Sequence, residues 1–309
     1  MKQCAVLTGL AVGDALGMPF ETEPPTSQRL LEWDGVSYLG SDYHLLSPGQ
    51  WTDDTMMACL IAQVLIENGG YVAEKVSARY AGWLASGDLR GMGKTTRAAL
   101  QRLQAGVLWT DSGVLGSLGN GSAMRAAPIG VWYRDDLPTV DRVARLDAAV
   151  THRSPEASDA SAAVALAAAL LALGVPRFHI LRLVLERLPP LGAIAEGLSR
   201  LSLDAGDPRT EKTMAAEMAA MGTRAVATQT VPAAFYAFLH GKDYLSTVSA
   251  AVQAGGDTDT TAAIAGALAG IFYGRAGIPA HLLAGLEAAE ALASYDAALM
   301  TRCVQTDDA

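Results

Sequence analysis

The chain has little cysteine, few aromatic residues and no sustained strand pattern. Its three cysteines, Cys4, Cys59 and Cys303, are far apart and include no Cys-x-x-Cys pair. An odd, scattered set argues against a disulfide framework or a thiolate metal site and fits a reducing, cytoplasmic compartment. Aromatics make up only 6 % of residues, and alternating runs of valine, isoleucine and threonine are nearly absent, which leaves little to build a sheet. Positive charge is in deficit: 23 lysines and arginines against 32 aspartates and glutamates give a net charge of −9. That balance argues against nonspecific binding to nucleic acid or anionic membranes. The longest apolar run, Ala162 to Val175, is mostly alanine and falls short of the ~18 residues a membrane span requires, so no membrane partner is expected. The start, Met1-Lys2-Gln3-Cys4-Ala5-Val6, is not a convincing signal peptide, since Gly13 and Asp14 soon interrupt the apolar residues.

Alanine and helical periodicity are abundant instead. Half of the 309 residues are hydrophobic and 18 % are charged, which is a globular and not a disordered composition. Helices are expected over Thr55–Glu67, Val72–Leu84, Thr95–Leu103, Leu137–Val150, Pro155–Leu173 and Phe178–Leu188. Thr213–Met221, Thr228–Leu239, Tyr244–Gln253, Asp259–Tyr273 and Pro279–Ser294 follow. Ala157–Leu173 and Thr260–Ala269 are rich in Ala and Gly, whose small side chains let backbones approach closely, so both are placed at the centre of a bundle. The fold class is all-α, in one domain over residues 1–309. Ser202–Lys212 is expected to be a surface loop, and nothing demands a partner subunit.

Two clusters carry candidate chemistry. Trp51-Thr52-Asp53-Asp54-Thr55 and Gly255-Gly256-Asp257-Thr258-Asp259-Thr260-Thr261 each stand directly before a helix. Simple N-capping accounts for one side-chain oxygen per helix, worth ~0.5–2 kcal/mol. Each cluster offers more: two aspartates and at least two threonines. Adjacent carboxylates repel, and a cation between them relieves the repulsion. Hard oxygen donors without His or Cys suit Mg²⁺ or Mn²⁺ and not Zn²⁺ or Cu²⁺. Thr52, Asp53, Asp54, Asp257, Asp259 and Thr260 could therefore hold two metals if the two helix ends meet. Gly116-Ser117-Leu118-Gly119-Asn120-Gly121-Ser122-Ala123-Met124-Arg125 is a glycine-rich stretch whose backbone N–H groups could cradle phosphate. It lacks the Walker A pattern, and taken alone it reads as a plain turn. Gly9, Gly13 and Gly17 recur every fourth residue ahead of Glu21, giving one smooth helical face. Val150-Thr151-His152-Arg153 precedes the most alanine-rich helix.

These features, in this order, resemble the ADP-ribosylglycohydrolase family, which includes the dinitrogenase reductase-activating glycohydrolases and the eukaryotic ADP-ribosyl hydrolases. The matching segments are Gly9–Glu21, Gly49–Thr55, Gly91–Leu100, Gly116–Arg125, Thr151–Ser158 and Gly255–Gly274. The resemblance implies a compact, single-domain helical fold with a dinuclear Mg²⁺ or Mn²⁺ centre held by Thr52, Asp53, Asp54, Asp257, Asp259 and Thr260. It implies Glu21 and Asp257 as catalytic groups. It also implies Ser117, Leu118, Gly119, Asn120, Gly121 and His152 as contacts to ADP-ribose. The implied activity is hydrolysis of the N- or O-glycosidic bond between ADP-ribose and a modified target. The alternatives are a metal hydrolase of another nucleotide-sugar or nucleoside, and a silent ADP-ribose-binding scaffold. One stretch departs from the pattern. The family's nitrogen-fixation regulators carry Asp-x-Gly-Asn-Thr near the substrate arginine, whereas this chain reads Gly91-Met92-Gly93-Lys94-Thr95. The acidic residue is missing and a lysine replaces the asparagine, which counts against arginine-linked ADP-ribose.

Overall fold

The small side chains anticipated at the centre set how the helices meet. A computed structural model describes residues 3–201 and 209–301; Cys303 and Ser202–Pro208 lie outside it. The helices are α1 (Val6–Gly17), α2 (Gln28–Glu32), α3 (Asp53–Asn68), α4 (Ala73–Ser86), α5 (Lys94–Gln104) and α6 (Trp109–Ser112). They continue with α7 (Ala127–Trp132), α8 (Leu137–Thr151), α9 (Pro155–Ala172), α10 (Arg177–Leu185), α11 (Ala193–Ser199) and α12 (Glu211–Met221). The last are α13 (Ala227–His240), α14 (Tyr244–Gln253), α15 (Thr258–Tyr273), α16 (Ala280–Gly285) and α17 (Ala289–Thr301). Two-residue strands β1 (Val114–Leu115) and β2 (His152–Arg153) pair in parallel.

Every residue of α1 is buried. It packs antiparallel on α15 at near backbone contact. A Cβ at Gly9 would lie 2.4 Å from the Gly266 carbonyl oxygen, one at Gly13 2.1 Å from that of Ala262, and one at Gly17 2.4 Å from that of Thr258. From the other side, Gly266 and Gly270 would meet the carbonyls of Gly9 and Ala5 at 2.4 and 2.2 Å. The fourfold glycine spacing is therefore an interhelical seam. It brings the C-terminal end of α1 against the N-terminal end of α15, where Thr258 Oγ1 donates to the Gly17 carbonyl at 2.7 Å. The other end of α1 has no side-chain cap of its own. Asp296 from α17 supplies one, accepting from the N–H groups of Leu7 and Thr8 and from Thr8 Oγ1. Helix α9 is long and apolar enough to cross a membrane, with mean hydropathy 1.2, and 78 % of it is buried inside the protein. Its alanines let α7 approach: a Cβ at Gly130 would lie 2.0 Å from the Ala165 carbonyl oxygen.

The expected helix over Pro279–Ser294 is broken into α16 and α17. The intervening backbone turns outward to make long-range bonds that a continuous helix would forgo. Glu287 N–H donates to the Gly49 carbonyl, Trp51 Nε1–H donates to the Glu287 carbonyl, and Arg90 pairs with the Glu287 carboxylate at 2.6 Å. Ala288 takes a φ of 56° to restart the chain. The described end of the expected loop Ser202–Lys212 is also shorter, because Thr210 caps α12 by accepting from Thr213 N–H, making Glu211 and Lys212 helical. Helices α2, α6, α7 and α11 span four to seven residues each, too few turns for periodicity to register.

The seam yields a direct test. Gly13→Ala should lower stability by about 1–3 kcal/mol, since only backbone movement can relieve the clash. Gly82→Ala, in α4 with nothing within 4 Å of the new methyl, should instead stabilise by about 0.5–1 kcal/mol. Chemical denaturation of the two variants distinguishes a packing seam from a mere dislike of glycine replacement.

Candidate active site

The first cluster opens α3, yet its own side chains do not cap that helix. Thr52 occupies the N-cap position and makes no side-chain cap bond. The cap comes from Asp14, a fully buried residue one turn before the end of α1. Its carboxylate accepts from Thr52 N–H at 3.0 Å, Thr52 Oγ1 at 2.9 Å, Thr55 N–H at 3.1 Å and Thr55 Oγ1 at 2.6 Å. This clamp fixes α3 on α1 and frees Asp53 and Asp54 from capping. The second cluster behaves alike: Asp257 stands at the N-cap of α15 without a side-chain cap bond.

The glycine seam carries α15 to the same point, so the two helix ends meet. Thr260 Oγ1 of α15 lies 3.4 Å from Asp54 Oδ2 of α3, and Thr52 Oγ1 lies 3.3 Å from the same oxygen. Asp53, Asp54, Asp257 and Asp259 are all buried. Burial, joined by the charges of Asp14 and Glu21, pushes the Asp53 carboxyl up to about 8, with a Gly93 backbone contact opposing the rise. Burial pushes Asp257 up to about 6. Asp54 and Asp259 are raised well above the usual range by burial and by the surrounding carboxylates. Asp54 Oδ1 is buried with no hydrogen-bond partner. Buried carboxylates that repel one another, two threonine hydroxyls and an orphaned oxygen fit a divalent cation in donor type and charge. Thr52, Asp53, Asp54, Asp257, Asp259 and Thr260 are the residues that could hold one.

Glu21 arrives at this cluster by backbone pairing. A single turn of 3₁₀-helix, Met18–Phe20, ends α1. Thr22 N–H then donates to the Gly256 carbonyl and Gly256 N–H donates to the Glu23 carbonyl, both at 2.7 Å. Gly255 and Gly256 have φ of 70° and 79°, the left-handed region open to glycine, and a Cβ at either would strike backbone atoms of Pro24–Pro25 or Thr223. Glu21 keeps its side chain partly exposed at the rim.

The glycine-rich stretch forms the opposite wall. Its start is tied down by β1–β2 pairing and by Gly116 N–H donating to the Arg153 carbonyl. The Leu118 carbonyl accepts from Ala227 N–H, and Ser117 Oγ lies 3.2 Å from Thr95 Oγ1. Asn120 Nδ2 donates to Asp257 and to Thr230 Oγ1, joining this wall to the carboxylates. Gly119 and Gly121 are not in positive φ; the His152 ring fills the space their side chains would take, at 3.0 and 2.8 Å from the would-be Cβ atoms. His152 thus supports the loop from beneath, with Thr151 Oγ1 at 2.8 Å from Nδ1. Burial and the nearby Arg125 charge lower its pKa to about 3, so the ring is neutral. Arg125 is fully buried, paired with Asp147 at 2.7 Å and donating to the Gly121 carbonyl.

Comparison with known proteins agrees with this geometry. An ADP-ribosylglycohydrolase family profile matches residues 2–308. The chain belongs to the ADP-ribosylglycohydrolase family. It is 29 % identical to the ADP-ribosyl-[dinitrogen reductase] glycohydrolase of Rhodospirillum rubrum, covering 90 % of this chain and 88 % of that one. It is 26 % identical to the ADP-ribosylarginine hydrolase Tri1 of Pseudomonas putida, covering 98 % and 78 %. A solved structure titled "ADP-ribosylglycohydrolase-related protein complex" superposes with a TM-score of 0.79 at 31 % identity over 96 % of both chains. The ADP-ribosylglycohydrolase is accordingly a glycosidase-type hydrolase acting on ADP-ribose linkages.

Of the residues expected from sequence, Glu21, Thr52, Asp53, Asp54, Asp257, Asp259 and Thr260 come together, and the Ser117–Gly121 stretch adjoins them through Asn120. Leu118 is half exposed on its outer face, and His152 lies behind the loop. Two contributors were not singled out as site residues by sequence: Asp14 and Arg125. Asp14 had one signal, an acidic residue amid an otherwise apolar glycine helix. Arg125 stood only as the last residue of the glycine-rich stretch, which gave no sign of its ion pair to Asp147.

The raised carboxyls set the pH dependence of the metal-free protein. A carboxyl raised in the folded state contributes stability that is present in full below its unfolded value near 3.9 and is lost as pH rises through the folded value. In chelator, the thermal midpoint should therefore fall as pH rises from about 5 through 8, following Asp257 near 6 and Asp53 near 8. A midpoint that climbs over this window would contradict the burial of these carboxylates as a cluster.

Proposed function

We propose that this protein is a divalent-metal-dependent hydrolase that frees ADP-ribose from a modified target, with two Mg²⁺ or Mn²⁺ ions held by Thr52, Asp53, Asp54, Asp257, Asp259 and Thr260. The observation that carries this reading is the pair of helix ends whose N-cap residues, Thr52 and Asp257, make no side-chain cap bond, and whose buried aspartates come together with Asp54 Oδ1 unpartnered. When bound, such ions supply positive charge that orients ribose hydroxyls and acidifies water. The chain's own groups do the rest. Glu21, at the rim, is placed to move a proton to or from water or the leaving atom. Asp257, held by Asn120 Nδ2, stabilises positive charge developing at the anomeric carbon. The Gly116–Gly121 loop, braced by His152, presents backbone N–H groups to the diphosphate.

The leaving side is bounded by Gly91–Thr95. Lys94 opens α5 there and is exposed. A fixed cation repels a guanidinium, so serine-linked, nucleic-acid-linked or O-acyl ADP-ribose is favoured over the arginine linkage. The Pseudomonas putida relative's name keeps arginine as the second reading.

Purified protein should release ADP-ribose from one of these linkages with Mg²⁺ or Mn²⁺ and not in EDTA. Asp257→Asn and Asp53→Asn should each lower turnover by at least about 100-fold and weaken metal binding in parallel, in line with the loss of one electrostatic catalytic group. Full turnover by Asp257→Asn would overturn the ligand assignment. Preferential cleavage of the arginine linkage would overturn the role given to Lys94.

A further inference from the structure

His44 plays no part in the reading above, yet it faces the same centre. It lies in a closed turn in which Ser41 and Leu46 exchange backbone hydrogen bonds at 2.9 and 3.1 Å. Its own N–H donates to Ser41 Oγ at 3.2 Å. Gly91 makes room for the ring: a Cβ there would lie 3.2 Å from both Cε1 and Nδ1. Tyr43 packs edge-on against the imidazole. The side chain is only 4 % exposed, and Nε2 sits 2.6 Å from Glu21 Oε2. That approach is within ion-pair distance but is not a hydrogen bond, so Nε2 is a buried nitrogen with no hydrogen-bond partner. One ligand atom each from His44, Glu21 and Asp259 falls within 4.8 Å of the others. An acidic cluster alone would not define a site. A buried, unpartnered imidazole nitrogen aimed into it does, since an orphaned buried nitrogen costs ~1–3 kcal/mol unless something satisfies it.

We propose that His44 Nε2, Glu21 and Asp259 form a mixed nitrogen–oxygen divalent-cation site at the Asp259 side of the proposed metal pair. This rests on the metal-dependent reading and sharpens it. An imidazole nitrogen suits first-row transition ions better than Mg²⁺, which holds to oxygen donors. The site therefore prefers Mn²⁺, or another transition ion, to Mg²⁺, while the all-oxygen remainder of the cluster accepts either. Glu21 has two oxygens, so ligation through Oε2 leaves Oε1 for its proton-transfer role.

The test is spectroscopic and independent of turnover. The full chain is loaded with Mn²⁺ and its electron spin-echo envelope modulation is recorded, natural-abundance protein being compared with protein labelled at histidine with ¹⁵N. The wild type should show nitrogen modulation that changes frequency on labelling. His44→Gln should abolish it, weaken the binding of one Mn²⁺ by at least about tenfold and narrow the Mn²⁺-over-Mg²⁺ preference by a similar factor. His44→Asn provides a second variant should His44→Gln fail to fold. Mn²⁺ bound with no nitrogen modulation overturns this inference alone. Modulation that survives both variants assigns it to another histidine and overturns it too. No Mn²⁺ bound at any site overturns the metal-dependent reading as well.

Discussion

The antiparallel contact of α1 with α15 is the constraint on which the site depends. Both helices are held at a separation that leaves no room for a Cβ at Gly9, Gly13, Gly17, Gly266 or Gly270. Because each helix is rigid, this register fixes where each one ends. The end of α1 delivers Glu21, and the start of α15 delivers Asp257, Asp259 and Thr260. Residues more than two hundred positions apart thus share one cluster without any long loop to position them. A site carried on helix ends packed at backbone contact keeps its geometry better than one carried on loops.

A second economy is the division of labour among aspartates. The N-termini of α1 and α3 are capped in trans, by Asp296 and Asp14. Each capping carboxylate satisfies backbone donors and joins two elements at once. The carboxylates native to the start of α3 are left without a cation beside them, and backbone N–H groups offset the burial of Asp53 only in part. They stay in the positive end of the helix dipole, which moderates their repulsion, but burial and mutual charge still drive their protonation. A fold that buries several carboxylates within a few ångströms, without arginine or lysine among the groups that shift them, stores repulsion that a cation relieves. The contrast lies across the glycine-rich wall, where Arg125 and Asp147 neutralise each other in full burial. That ion pair is structural: it holds Gly121 in place, and its charge helps keep His152 neutral beneath the loop.

The family relationship and the geometry bear on different questions. The relatives establish the class of bond, an ADP-ribose linkage. The geometry bears on what lies around that linkage: Lys94 at the start of α5 and His44 beside Glu21.

Much was legible in the residues alone. Small side chains at helical spacing, scarce aromatics and missing strand patterns sufficed for the all-α class and for the central position of Ala157–Leu173 and Thr260–Ala269. The two Asp/Thr clusters were visible because both lie next to helix starts, where local sequence sets structure. What local sequence could not decide was whether they meet, which cap belonged to which helix, and why Gly119 and Gly121 are glycines. Asp14 reaches Thr55 across 41 positions, Asp296 reaches Leu7 across 289, and His152 reaches Gly119 from the far side of α7 and α8. The split of the last long helix had the same origin, since Glu287 left helical geometry for partners at Gly49, Trp51 and Arg90. Periodicity and capping are properties of neighbouring residues, whereas the convergence of charges depends on interhelical packing, which exists only once the chain has folded.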